Sequence, residues 1–184
     1  MPEDAVGLAQ LSKILVFQKP LGGTAQDVVD LARGSLAQCD GVGIQVLGDD
    51  GVTTRATTDS RSFDLDVLQD QLDDGPCVES LRDGERHDLE PVTADERWPL
   101  FAPSARRSGL IACVALPLAA HGEVIGVLNL YAWPAVGFAG WDRRQCLTFA
   151  GRASQVLASA QAYERAQDLI AKLEAQLASI PGTQ

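Results

Sequence analysis

A chain of 184 residues with 46% hydrophobic content is long enough for one domain with an appendage, and carries enough apolar material for a real core. Its formal net charge is −10, from 25 acidic against 15 basic residues, and its longest basic runs are the pairs Arg106-Arg107 and Arg143-Arg144. That balance argues against nucleic acid or an anionic membrane surface as a partner.

The start, MPEDAVGLAQ, has no basic stretch followed by an apolar run, so it is not a secretory signal. The longest apolar run, Leu110–Ala120, is too short to span a bilayer and contains Pro117. A soluble, cytoplasmic protein is expected. Cys39, Cys77, Cys113 and Cys146 are far apart and form no C-x-x-C pair, so free thiols are expected. With only His87 and His121 as histidines, no zinc-ligand spacing arises.

Residues 5–18 place Val6, Leu8, Leu11, Ile14, Leu15 and Phe17 at helical spacing, and Pro20 with Gly22-Gly23 should end that helix. Thr24 is suited to cap a second helix with the apolar stripe Ala25, Val28, Val29, Ala32 and Leu36. A strand at Val42–Leu47 turns at Asp49-Asp50-Gly51 into a Thr-rich, more exposed strand, Val52–Thr58. Residues 59–109 are less regular. They predict short helices at Phe63–Leu72, from Pro76 through Leu81, and from about Trp98 to Arg107, with a short strand near Arg86–Leu89.

The hairpin Leu110–Tyr131 is apolar on both faces, which places it centrally, covered on both sides in a three-layer α/β/α domain. Folding about His121-Gly122 pairs Leu118 with Ile125, Leu116 with Val127, Val114 with Asn129 and Ala112 with Tyr131. Asn129 is polar at a buried position and needs a partner, either a neighbouring loop or something bound over the sheet.

A long helix closes the chain. Asp142 with Gln145 forms a variant capping box, and no proline follows until Pro181. Cys146, Phe149, Ala153, Val156, Ala160, Tyr163, Ala166, Ile170, Leu173 and Leu177 recur at steps of three and four, a coiled-coil period with one stammer. Leu147, Ala150 and Leu157 widen the first half, which should pack on the domain. The second half has a narrow stripe that needs a partner helix. The chain thus divides into a domain at 1–160 and a coiled-coil-like extension with a short tail at 161–184.

The phrases LAQLSKILV, CDGVGIQVL, GPCVESLRDGE, DERWPLFAP, VALPL, GEVIGVLNLY and QAYERA, in this order, resemble the GAF domains that precede ANTAR modules in actinobacterial regulators. The resemblance covers roughly residues 5–170. It implies an α+β fold with a six-stranded antiparallel sheet, the N- and C-terminal helices on one face and the crossover segments on the other. It implies a ligand position on the crossover side, between about Thr58 and Leu110, and a homodimer through the terminal helices. An ANTAR module would add three helices after the long helix, and the sequence stops at Gln184, so RNA binding is not carried over. Either a stand-alone GAF protein or a truncated one is expected.

The residues for a small-molecule pocket on the crossover side are Cys77, Trp98, Phe101, Arg106, Asn129 and Tyr131: aromatics with a few polar groups. The same residues equally suit a plain core and its rim. Cys77 in GPCVES sits at a loop-to-helix junction, where a helix N-terminus favours a thiolate. A reductase of free methionine-R-sulfoxide is also a single GAF domain, but the resemblance looks to several cysteines in the crossover, and only Cys77 lies there. His87 reads as a surface residue and His121 as a turn residue. A bilin, haem or cyclic nucleotide lacks its expected residues, so the cofactor is left unassigned. The reading is a cytoplasmic regulatory sensor of an unidentified small molecule, not an enzyme. An interaction scaffold with no ligand is the alternative, and a thiol-based reductase ranks third.

Overall fold

The computed structural model describes residues 11, 19–36, 39–49, 51–92, 96–133, 138 and 142–179. Helix α1 (Leu21–Ser35) leads into strands β1 (Gly41–Gly48) and β2 (Gly51–Thr57). A crossover follows: α2 (Ser60–Leu72), α3 (Pro76–Asp83), β3 (His87–Leu89) and α4 (Phe101–Arg107). The hairpin β4 (Ala112–Ala120) and β5 (Glu123–Ala132) precedes the long helix α5 (Arg143–Ala178). The first predicted helix lies outside the described residues, except Leu11, which is helical and buried.

The fold is α+β, with one antiparallel sheet in the order β2-β1-β5-β4-β3. Among the described residues the sheet has five strands, not the six expected. One face carries Val42, Ile44, Val46, Val114, Leu116, Leu118, Leu128 and Leu130. It packs on the α1 stripe and on Phe149, Ala153, Val156 and Leu157 of α5. The opposite face carries Cys113, Ala115, Val127 and Tyr131 and lies under α2, α3 and α4. Covering both faces explains why the hairpin is apolar throughout.

The hairpin register differs from the expected one. At the turn the pairing is as predicted, Ala120 with Glu123 and Ala119 with Val124. A bulge then leaves Ile125 extra, and Leu118 pairs with Gly126, Ala115 with Asn129 and Cys113 with Tyr131. A one-residue slip exchanges the faces of a strand. Asn129 and Tyr131 therefore share a face with Cys113 and Ala115, not with Leu116 and Leu118. Gly126 permits the bulge: a Cβ there would collide with the Gln45 carbonyl oxygen, so the close approach of β1 admits only glycine. His121 and Gly122 both have positive φ, the conformation that a two-residue hairpin turn requires.

Helix boundaries also differ: α2 starts at Ser60, capped by Asp59, not at Phe63. Helix α1 starts at Leu21, not after Thr24, and runs through Gly22-Gly23. Pro20 supplies the first accepting carbonyl, 3.0 Å from the Thr24 N–H, and its fixed φ suits a helix start. Helix α4 starts at Phe101, leaving Trp98 before it. The N-cap role of Asp142 is as predicted, its carboxylate accepting from the Arg144 and Gln145 N–H groups, whereas the Gln145 side chain of the expected capping box donates to the Ser35 carbonyl at 3.3 Å. Leu147, expected to pack on the domain, is 49% exposed.

Candidate functional site

Helix α2 lies on the sheet with its polar side inward. Ser62, Asp66 and Gln69, at spacings of four and three, are buried with Leu65, while Phe63 is 46% exposed. The sheet accommodates this because β1 presents Gly41 and Gly43 below it. A Cβ at position 43 would overlap the Asp66 carboxylate, and one at 41 would overlap Ser62 and Trp133. Gly43 pairs with Asn129 and Gly41 with Tyr131 across β5, so the polar face of α2 rests on these four residues.

The groups at this junction form a directional circuit. Gln69 Nε2 donates to Tyr131 Oη at 3.2 Å, and Tyr131 donates to Asp66 Oδ1 at 2.5 Å. Asn129 Nδ2 donates to the same oxygen at 2.9 Å and to Cys77 Sγ at 3.2 Å. The Cys77 thiol donates to Gln45 Oε1 at 2.6 Å, and Gln45 Nε2 donates back to the Asp66 carbonyl at 3.2 Å. The Cys77 N–H donates to Gln69 Oε1 at 2.9 Å. Thus α2, α3, β1 and β5 are joined through side chains, beside an apolar cluster of Trp98, Phe101, Leu89, Leu110 and Tyr131.

Among the described residues, Asp66 Oδ2 has no hydrogen-bond partner, nor does Ser80 Oγ. Asp66 is fully buried, and burial, opposed by its bonds from Tyr131 and Asn129, pushes its pKa up to about 7. Magnitudes favour the neutral acid: an unpaired buried charge costs several kcal/mol, against ~1–3 kcal/mol for one unsatisfied neutral donor. Burial likewise raises the Cys77 and Tyr131 pKa values, with the Asp66 charge adding in the same direction. Cys77 is a thiol, not a thiolate, although it sits in the first turn of α3. Burial outweighs the helix N-terminus.

Two surface clefts lie elsewhere. One of about 690 Å³ is lined by Gly84, Arg86, Asp88, Arg97, Pro117 and Arg143, and Asp88 holds Arg86 and Arg143 there. Another of about 350 Å³ is lined by Arg33, Asp40, Asp59, Ser60, Arg61 and Trp133. Among the described residues, no three His, Cys, Asp or Glu side chains are grouped to hold a metal ion. Among the described residues, no helix is long and apolar enough to cross a membrane.

The layering of terminal helices, antiparallel sheet and irregular crossover coincides with a profile match over residues 20–160 to the GAF domain. The chain belongs to the GAF domain family. Solved GAF structures share the fold at low identity. The GAF domain of a Coxiella burnetii phosphoenolpyruvate-protein phosphotransferase superposes with a TM-score of 0.68, at 15% identity, over 91% of this chain and 97% of its own. That of the Acinetobacter phosphoenolpyruvate-protein phosphotransferase gives 0.65, at 17% identity, over 88% and 96%. A free methionine-R-sulfoxide reductase from Neisseria meningitidis, in complex with its substrate, gives 0.64, at 14% identity, over 91% and 95%. No curated protein matches the chain.

Within this GAF domain, the sequence-derived site residues separate into three groups. Cys77, Asn129 and Tyr131 meet in the polar circuit. Trp98 and Phe101 are buried in the adjoining apolar cluster. Arg106 is exposed, with its neighbour Ala105 facing inward. Sequence reasoning missed Asp66, Gln45 and Gln69. The signal was present: Gln45 interrupts the strand GVGIQVLG, and α2 exposes Phe63 when its polar side faces inward. His87 is half-buried, bonded through Nε2 to Asp83 at 2.8 Å and edge-on to Trp98. It is tied to the surface carboxylates and is not part of the circuit.

Proposed function

We propose that this GAF domain is a cytoplasmic regulatory module that dimerises through its terminal helices and senses a small molecule at the junction between the sheet and the crossover. The observation that carries the reading is the continuity of α5. Its first half is buried on the sheet from Cys146 to Gln161, and its second half leaves the domain with Leu169, Ile170, Leu173 and Leu177 exposed at 57%, 49%, 49% and 69%. One rigid element thus joins the sheet to an uncovered apolar stripe of coiled-coil period. A ligand that binds one arrangement of α2–α4 better than another would shift the sheet and, through it, α5; only such differential affinity moves an equilibrium.

The scaffold reading has a specific observation in its favour. Trp98, Phe101, Asn129, Tyr131 and Cys77 are buried, which supports a crossover packed down on the sheet with no ligand between them. Sensing then requires the crossover to lift. The enzyme reading is disfavoured because Cys77 is buried and hydrogen-bonded as a neutral thiol. The actinobacterial, ANTAR-associated type rests on the sequence phrases alone, and the acidic balance of the chain supports a partner other than nucleic acid or membrane.

Native mass spectrometry of protein purified from its own host separates these readings. Sensing predicts a dimer carrying a small molecule that is lost on Asn129→Leu. A ligand-free dimer in every preparation supports the scaffold, and a ligand-free monomer contradicts both.

A further inference from the structure

The junction has a buried acid, and neither of the two clefts described above is lined by a residue of its circuit, which limits what it can take up as built. Asp66 is fully buried, with two donors converging on Oδ1 and, among the described residues, none on Oδ2. Oδ2 is pressed against the Gly43 backbone, where even a methyl group does not fit. The groups facing it are Tyr131 and Asn129 from β5, Cys77 from α3 and the Gln45 amide from β1. Cys113 of β4 stands behind Tyr131, and Asp70 on α2 acts on Cys77. Among the described residues, no Lys, Arg or His pairs with Asp66.

We propose that the sheet–crossover junction is a proton-binding site: Asp66 holds a proton on Oδ2 while α2 and α3 lie on the sheet, and releases it to water when they lift. This deepens the sensing reading, on which it rests, by giving the closed junction a ligand small enough to occupy it. The balance is a single proton. Below about 7 the closed form keeps it, and the solvated carboxyl of the lifted form loses it. Lifting thus becomes easier as pH rises, and a molecule that displaces the crossover competes with the proton.

Hydrogen exchange of the α2 and α3 amides, corrected for intrinsic exchange, reads this directly. In the wild-type chain the opening constant should rise about tenfold per pH unit from about pH 5 towards neutrality, then flatten. Asp66→Asn, a neutral isostere, should remove the slope. Equal slopes in both proteins, or no slope in the wild type, overturns the proposal. Should Asp66→Asn not fold, Tyr131→Phe removes one donor from Oδ1 and should move the flattening to higher pH. An unmoved or lowered transition overturns it. Infrared spectra of the wild type should show a carboxylic-acid carbonyl band near pH 6 that fades by about pH 8 and shifts in Tyr131→Phe. Absence of that band also overturns it. A pH-independent crossover in a dimer that still binds a small molecule defeats the proton site alone, and a proton-linked crossover in a ligand-free monomer defeats the regulatory reading alone.

Discussion

Asp66 takes two hydrogen bonds on one oxygen and rests the other against Gly43, so a side chain at position 43 has no space to enter. Gly43→Ala should therefore cost about 1–3 kcal/mol in urea unfolding, the range for overpacking a tight interior. The cost should shrink when Asp66→Ala is added, because the colliding carboxylate is gone. Asp66 also sets a pH dependence of opposite sign to that of an ion-paired carboxylate. Its folded pKa lies above the ordinary value of 3.8, at about 7, so its favourable contribution is complete below about 4 and lost as pH rises through about 7. Wild-type stability should fall across that window by a few kcal/mol at most, and Asp66→Asn should flatten the curve. At Cys77, Ser retains a donor to Gln45 and an acceptor for Asn129, whereas Ala strands both buried amides. Cys77→Ser should be nearly neutral and Cys77→Ala should cost about 1–3 kcal/mol, measured by denaturant titration. Asn129 was legible as a polar residue at a buried position of an apolar hairpin. Asp66 was not, because a polar helical face ordinarily signals solvent, and only the glycines beneath it reveal the inversion.

At the scale of elements, the order of helices and strands followed from periodicity and turn chemistry. Asp142 and His121-Gly122 marked α5 and the hairpin turn by local hydrogen bonding and backbone conformation alone. The β4–β5 register did not follow, since Ile125 is as apolar as its neighbours and nothing local marks it as the extra residue. The mark is Gly126, whose meaning depends on the Gln45 carbonyl of a distant strand. Gly126→Ala should accordingly be more damaging than Gly151→Ala on α5, where a Cβ meets nothing. The first should cost several kcal/mol or prevent folding, because backbone must move. The second should stabilise by about 0.5–1 kcal/mol through helix propensity. Thermal melts of the two single variants compare them directly.

For the whole molecule, α5 belongs both to the core and to the outside. Phe149, Val156 and Leu157 close the helix-side core, while Ile170, Leu173 and Leu177 stand in water. Burying those three against a second copy gains roughly 1.5–3 kcal/mol per fully covered side chain. It would also hold a segment that is marginally helical alone. Truncation after Tyr163 should weaken the dimer and leave the domain folded, since burial on α5 ends at Gln161. The central claim is tested most directly by sedimentation velocity at micromolar concentration, on the wild-type chain and on Ile170→Glu/Leu173→Glu. A wild-type dimer and a folded, monomeric double variant are predicted. A wild-type monomer, or a dimer indifferent to both substitutions, would contradict the account.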